Sequence, residues 1–175
     1  ADMKGKKFRV VGSPIFIDTF TAFGANPTQM SFADAQPALS TGAVDGQENP
    51  LSVFTGAKMW TLNQKFLTLW GYTADPLIFV VNREVWESWT PADRDAVRQA
   101  AVQAGAENVA AARKGIAGRD NEALKQIEAQ GVTVTHLTPA QIKAFQAAAK
   151  PVYDKWAEQI GRDLVKAAEA SIAKR

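Results

Sequence analysis

The residues of this chain with the most distinctive chemistry are one arginine near its start and a polar corner further along. Arg9 lies inside a short apolar run, FRVV, where a charged side chain is unexpected. The segment TGAVDGQENPL ends in a predicted helix start, with Asn49 at the N-cap position and Pro50 at the first helical position. A helix start favours an anion because its backbone N–H groups are free and its dipole is positive there. We predict that Arg9 and the corner Gln47–Asn49 face one site for a small molecule that carries a carboxylate.

Side-chain geometry explains the choice of a carboxylate. An arginine presents a rigid fork that meets a carboxylate through two parallel hydrogen bonds, and Asn49 can donate one further hydrogen bond and accept another. Phe32, just after a turn, and Trp70, at the end of a predicted strand, are candidates for the walls of the site, since such sites are mostly apolar. Two alternatives stay open from the residues alone: Arg9 in solvent on an edge strand, and Phe32 and Trp70 as ordinary core residues.

Enzyme chemistry has weaker support in the sequence. Catalysis needs a group that carries protons or attacks a substrate, and the one histidine, His136, lies in an alternating strand pattern that predicts partial exposure. Asp45 and Glu48 are a possible carboxylate pair, although turn and helix-start roles explain them equally well. The chain has no cysteine, which excludes disulfides, thiolate catalysis and cysteine-ligated metals. We predict no catalytic residue, no metal and no cofactor, and therefore a binding protein rather than an enzyme.

Composition narrows the class of partner. The chain has 175 residues, 46% of them hydrophobic and 22% charged, with a formal net charge of +2. Its only basic cluster, at Lys4, Lys6 and Lys7, is explained by a short solvated face, so we expect no nucleic-acid partner. No apolar run approaches the roughly 20 residues that a membrane span needs. A signal-peptide pattern is also missing, which is compatible with a cytosolic protein, a mature protein or a fragment.

Hydrophobic periodicity predicts alternating strands and helices in the first half of the chain and a mostly helical end, which is an α/β pattern. The predicted extended segments are Phe8–Val11, Thr28–Met30, Ala43–Val44, Lys65–Trp70, Pro76–Val81 and Val132–Leu137. The predicted helices are Pro14–Phe23, one capped by Ser31 with Pro37 in its interior, Pro50–Trp60, Asn82–Trp89, one from Thr90 to about Gln130, one from Thr138 that restarts at Pro151, and a last one that ends at Ala173.

Four stretches together resemble a known family. They are DMKGKKFRV, GANPTQMSFADAQPALSTGAVDGQENPLSVF, KFLTLWGY and DPLIFVVNREVWESWTPADRDAV. They resemble the DctP family, the solute-binding proteins of tripartite ATP-independent periplasmic (TRAP) transporters. The segment VDGQENP is specific when it follows the preceding block without a gap. The resemblance covers nearly the whole chain.

The resemblance implies a periplasmic-binding-protein-like fold, with two α/β lobes joined by crossing segments and a long helix across both. It implies that a small organic acid is trapped between the lobes and then delivered in the periplasm to the membrane subunits of the transporter. The carboxylate clamp of the family falls on Arg9, two lining positions fall on Phe32 and Asn49, and a position that helps to set specificity falls on Trp70. Gln47 joins these residues through its place in the corner.

This chain departs from the family pattern in two ways. Gln29, Gln36 and Ser40 replace a usual proline, tyrosine and glutamine, and Pro37 stands where a helix residue is expected. Family members also carry a substantial segment before the first matching block. We therefore expect a C-terminal portion that lacks most of the first lobe. Residues 1–76 would form the ligand-binding part of the second lobe, and residues 77–175 a crossing strand, a long spanning helix and C-terminal helices that pack on both lobes.

The expected shortness of the chain has physical consequences. Its later part carries apolar side chains that would need another cover, at Trp86, Trp89, Phe145, Tyr153 and Trp156. We expect a homo-oligomer or association with a missing N-terminal lobe, and weakened ligand binding. The alternative function is a truncated α/β-helical module that binds no ligand and serves only in interaction or structure.

Overall fold

The computed structural model describes residues 2–71, 73, 77–116 and 121–173, and these form a mixed α/β structure. Its strands are β1 (Lys7–Val10), β2 (Asn26–Gln29), β3 (Gly46–Gln47), β4 (Phe66–Leu69) and β5 (Thr133–His136). Its helices are α1 (Pro14–Ala22), α2 (Phe32–Thr41), α3 (Leu51–Gly56), α4 (Arg83–Ser88), α5 (Pro91–Ile116), α6 (Glu122–Ala129), α7 (Pro139–Ile160) and α8 (Arg162–Ala173), with a 3₁₀ turn at Met59–Thr61.

A parallel sheet with the strand order β2-β1-β3 organises the first part of the chain. The chain runs from the central strand β1 to β2 on one side and later to β3 on the other side. The order of the strands therefore reverses at β1. In open parallel sheets, ligands bind outside the carboxyl ends of the strands at such a reversal.

One face of this sheet is covered by α1. Side chains alternate between the faces of a strand, and Val10 points to the α1 side, where it forms a buried cluster with Phe20 and Ala25. Helix α7 packs on α1 from outside. A polar clasp joins the two helices: Asp18 accepts hydrogen bonds from Lys155 Nζ at 2.7 Å and from Trp156 Nε1 at 2.8 Å.

A second hydrophobic core connects the first sheet to the second, which is the parallel pair β4-β5. This core draws its residues from α2, α3, the 3₁₀ turn, α6 and the residue before β5, and so joins segments that are distant in the sequence. Its buried members are Leu39, Val44, Phe54, Met59, Trp60, Ile127 and Val132.

Local signals predicted most helix starts correctly. The backbone N–H of Asp34 donates to Ser31 Oγ at the start of α2, and Thr138 heads a complete capping box at the start of α7. Helix α2 runs from Phe32 to Thr41 with Pro37 in its interior, as the sequence predicted. Pro37 lies on the exposed side of the helix, where water can satisfy the carbonyl that lacks a proline donor. Helix α7 likewise continues through Pro151 without the predicted restart.

The segment around the polar corner differs from the prediction. The short strand is Gly46–Gln47 rather than Ala43–Val44, because Gly46 and Gln47 are the residues that pair with β1. The following helix begins one residue later than predicted, with Pro50 as its N-cap. It ends at Gly56, since Lys58 adopts a left-handed conformation with φ 49° that an α-helix cannot include.

The apolar run after the second sheet is not a strand. Pro76 lies outside the described residues, and Leu77–Val81 has no regular structure. Four of its side chains are about three-quarters or more exposed, with Leu77 at 86% and Phe79 at 75%. A strand needs a neighbour for its backbone hydrogen bonds, and none of the described strands lies beside this run. The predicted crossing strand is therefore absent from the described part of the chain.

The predicted long helix is divided. Helix α5 ends at Ile116, and Asn121 caps the start of a separate helix, α6. Ile127 in α6 is fully buried, whereas Val109 in α5 is 47% exposed. Helix α5 is rich in alanine, so it offers little apolar surface for burial. No described helix combines the length and the hydrophobicity that crossing a membrane would require.

The polar clasp between α1 and α7 predicts an acid-sensitive contribution to stability. The hydrogen bonds from Lys155 and Trp156 lower the pKa of Asp18. A lowered pKa in the folded state stabilises the fold above the unfolded value of about 3.9, and this contribution is lost as the pH falls through the folded value. Thermal unfolding of Asp18→Asn should therefore show a lower Tm than the wild type at pH 7, with the gap closing in acid. A Tm difference that is the same at both pH values would contradict this. The matched control is Asp154→Asn, whose partner Lys150 is exposed on the same helix, and it should change little.

Candidate functional site

Arg9 occupies the penultimate position of the central strand and is only 3% exposed. Its Nε donates a hydrogen bond to the carbonyl of Met30 at 3.1 Å, and its guanidinium carbon lies 5.9 Å from the centre of the Phe32 ring. Val10 points to the α1 side, so Arg9 points to the opposite face. The structure thereby excludes the alternative of an edge-strand arginine in solvent.

The charge of Arg9 is only partly compensated by the protein. Burial lowers the pKa of Arg9, and the negative charge of Glu48 opposes this change. Arginine is not deprotonated in proteins near neutral pH, so the side chain keeps its charge. Among the described residues, no acceptor is hydrogen-bonded to its two terminal nitrogens. Those nitrogens form the fork that binds a carboxylate or another planar anion.

The predicted corner lies next to Arg9 in the sheet. Gln47 in β3 is the register partner of Arg9, so the two residues are neighbours across the strands. Asn49 donates its side-chain amide to Oε1 of Gln47, and both side chains are half-buried. Asn49 is thus not the N-cap of the next helix, as the sequence suggested, because its amide is turned to Gln47 and Pro50 holds the cap position. The helix start that was predicted to favour an anion belongs to α3, a helix of six residues, and its part in binding stays a prediction.

An open cavity of about 440 Å³ lies at the carboxyl ends of β1 and β2. This is the edge of the sheet at which the strand order reverses. Arg9 is the predicted site residue that lines the cavity, and Phe32 and Gln47 lie close to Arg9. The full lining consists of Arg9, Val11, Gly12, Gln29, Met30 and Ser31.

Sequence reasoning missed three polar or small residues of this cavity: Gly12, Gln29 and Ser31. Their common feature is position, since each lies at or just after the carboxyl end of a strand. Parallel strands bring their carboxyl ends to the same edge. Assigning the extended segments to one parallel sheet would therefore have identified them.

Trp70 lies with a different group of residues. Its ring packs against Phe20, Phe23 and Phe145, with centroid separations of 6.1, 5.6 and 5.2 Å. It also packs on the buried cluster around Val10, which is the α1 side of the sheet. The structure therefore brings Arg9, Phe32, Gln47 and Asn49 together and places Trp70 apart from them. The ligand-binding role of Trp70 stays a prediction.

The candidate catalytic groups have ordinary structural roles. Asp45 accepts a hydrogen bond from the backbone N–H of Lys7 at 2.8 Å, which fixes the turn before β3. His136 is exposed at the end of β5. Within the described residues, no three histidine or carboxylate groups lie close enough together to hold a metal ion.

Comparison with known proteins gives one consistent family. The model of the bacterial extracellular solute-binding proteins of family 7, DctP, matches residues 1–159. The C4-dicarboxylate-binding periplasmic protein DctP of Vibrio cholerae is 38% identical over 174 residues, which is 98% of this chain and 50% of that protein. The chain spans about half the length of the curated relatives it matches. These relatives are solute-binding proteins rather than enzymes.

Solved structures agree with this assignment. A TRAP periplasmic solute-binding protein from Ralstonia eutropha, with bound (S)-2-acetolactate, is 66% identical and superposes with a TM-score of 0.95, covering 99% of this chain and 55% of that one. The sugar acid binding protein of Advenella mimigardefordensis, in complex with galactonate, is 28% identical with a TM-score of 0.90, covering 99% of this chain and 54% of that one.

The incompletely paired charge of Arg9 predicts a conflict between stability and function. Replacing a buried charge by an apolar side chain of similar length is often neutral or stabilising. Chemical denaturation of Arg9→Met should therefore give a free energy of unfolding equal to that of the wild type or about 1 kcal/mol higher.

The neighbouring buried residue supplies the matched control. Val10→Ala removes apolar volume from a fully buried position and should cost about 2 kcal/mol. A loss of similar size in Arg9→Met would mean that Arg9 is retained for the stability of the fold, contrary to a binding role.

Proposed function

Because this chain belongs to the DctP family of bacterial extracellular solute-binding proteins, we propose that it binds the carboxylate of a small organic acid for uptake by a TRAP-type transporter. The observation that carries the proposal is the guanidinium of Arg9, which is buried at the carboxyl edge of the sheet with its terminal nitrogens free of described partners. Burying such a charge is costly, and an anionic ligand offsets that cost.

Arg9 would hold the carboxylate in this proposal. Its Nε is committed to Met30, so the two terminal nitrogens remain for a bidentate contact. Phe32 would close one side of the site by its contact with the guanidinium. Gln47 and Asn49 would add hydrogen-bonding groups from the neighbouring strand and its loop. Trp70 would act indirectly, because it packs against the buried cluster of Val10, Phe20 and Ala25 on the α1 side of the sheet.

We infer the class of acid from the volume of the cavity and from the ligand of a similar solved structure. A cavity of about 440 Å³ suits a small ligand. The protein from Ralstonia eutropha that holds (S)-2-acetolactate is 66% identical to this chain. A short, branched acid with an oxygen on the carbon next to the carboxylate is therefore the proposed ligand.

Location and partners follow from the family. Relatives are named as periplasmic binding proteins, so we place this chain in the periplasm, with the membrane subunits of the transporter as its partners. In the proposed complex the acid lies between two lobes, of which residues 1–76 supply one wall and residues 77–175 reach the other. No catalytic step is assigned to any residue.

Isothermal titration calorimetry tests the binding role directly. The purified chain is titrated with (S)-2-acetolactate, succinate and galactonate, and the same panel is applied to Arg9→Ala. At least one acid should bind the wild type, and Arg9→Ala should weaken that binding by at least about tenfold, because a charge-assisted bidentate contact is lost. Arg162→Ala, which removes an exposed arginine at the start of α8 that pairs with Glu158 near the end of α7, should bind like the wild type. Absence of binding to the whole panel, or equal binding by Arg9→Ala, would refute the proposal.

A second candidate function is an interaction or structural module without a ligand. The observation that favours it is the exposed run Leu77–Val81, whose apolar side chains face solvent beside α4 and α5. Contiguous exposed apolar surface of this kind commonly marks a contact with another protein chain. Self-association through this run is the simplest form of that contact.

Light scattering of the chain at increasing concentration tests the second candidate. The wild type should form oligomers, and Phe79→Ser should shift the distribution toward monomer without lowering the Tm, since Phe79 is 75% exposed. Phe66→Ser alters a residue of similar exposure, 80%, outside the run and should have no such effect. A wild type that stays monomeric at high concentration would speak against the module.

A further inference from the structure

The carboxyl ends of the three strands of the first sheet each carry a polar side chain. They are Arg9 in β1, Gln29 in β2 and Gln47 in β3. The amide of Gln47 already accepts a hydrogen bond from Asn49. The amide of Gln29 is exposed, lines the same cavity as Arg9, and has no hydrogen-bond partner among the described residues.

The amide of Gln29 occupies space that is free because Gly12 has no side chain. A Cβ atom added to Gly12 would lie 2.6 Å from Nε2 of Gln29, well inside the contact distance of the two atoms. The missing side chain at Gly12 therefore leaves the space in which the amide of Gln29 lies. Gly12 follows β1, Gln29 is the last residue of the neighbouring strand β2, and both line the cavity beside Arg9.

The geometry points to Gln29 as a specificity-determining residue: its amide hydrogen-bonds the oxygen on the carbon next to the carboxylate that Arg9 holds. This inference rests on the proposed function and names the part of the ligand that the site distinguishes. An amide is suited to the task because it donates and accepts, so it recognises a hydroxyl or a keto oxygen. A site that leaves its polar group unpaired when this oxygen is missing discriminates against the acid that lacks it.

The test compares two acids that differ only in that oxygen, α-hydroxyisobutyrate and isobutyrate. Calorimetry on the wild type should show about fivefold tighter binding of the hydroxy acid, the value of one neutral hydrogen bond. Gln29→Met keeps the length of the side chain and removes its hydrogen-bonding groups, so the ratio of the two affinities should fall to about one. Arg9→Ala should instead weaken both acids by the same factor.

A second variant displaces the amide of Gln29 without removing it. Gly12→Ala places a methyl group where the end of a flexible side chain now lies, so the backbone can be kept while the amide of Gln29 is displaced. The affinity ratio should fall in this variant as well, and the double variant with Gln29→Met should be no worse than Gln29→Met alone. Gln126→Met makes the same substitution at an exposed position of α6, outside the lining of the cavity, so it is the matched control and should keep the ratio of the wild type.

The outcomes separate this inference from the proposed function. An unchanged ratio in Gln29→Met, with binding still dependent on Arg9, overturns the role of Gln29 and leaves the carboxylate site intact. Equal changes in Gln126→Met and Gln29→Met also overturn it, because the effect would not belong to the cavity. A wild type that binds other carboxylates but not the hydroxy acid overturns the inference alone. A wild type that binds no carboxylate overturns the proposed function and the inference with it.

Discussion

A positive charge held inside the first sheet is the constraint on which the account of this protein depends. Arg9 lies on the central strand, almost removed from solvent, with Glu48 as the negative group that acts on it. The neighbouring position of the same strand is filled by Val10, which lies in an apolar cluster on the opposite face. A desolvated cation with free donors is costly for a structure and useful for a binding site.

The rest of the first sheet keeps that charge in place. The α1 side of the sheet is apolar and gives the strand its anchorage, while the opposite side and the carboxyl edge carry the polar groups. The clasp of Asp18 with Lys155 and Trp156 connects this anchorage to α7. The apolar packing and the proposed binding site thereby lie on different faces of one small sheet. That separation lets the edge residues vary with little effect on the core.

Local sequence signals predicted a large part of this arrangement. The caps at Ser31 and Thr138 and the strand around Arg9 depend on neighbouring residues, so the sequence contains their signal. The predicted strand at the apolar run Leu77–Val81 was wrong because a strand depends on a partner that local periodicity does not reveal. Asn49 was misplaced for a related reason. Its side chain satisfies Gln47 instead of the helix start, and a good cap residue can do either.

Local sequence patterns could not predict the cavity. Gly12 and Gln29 are separated in the sequence and become neighbours only when β1 and β2 pair in their observed register. The family resemblance supplied the expected role of Arg9 but did not indicate the pair of Gly12 and Gln29, since glutamine departs from the family pattern at that position. The register between β1 and β2 joins residues that are distant in the sequence, so local patterns could not predict it and the structure was needed to show it.

A crystal structure of the chain grown with (S)-2-acetolactate tests the central claim most directly. The account predicts both carboxylate oxygens of the ligand at about 3 Å from the two terminal nitrogens of Arg9, the geometry of a bidentate pair. A ligand whose carboxylate lies elsewhere, with the guanidinium of Arg9 bound only to protein groups, would contradict it.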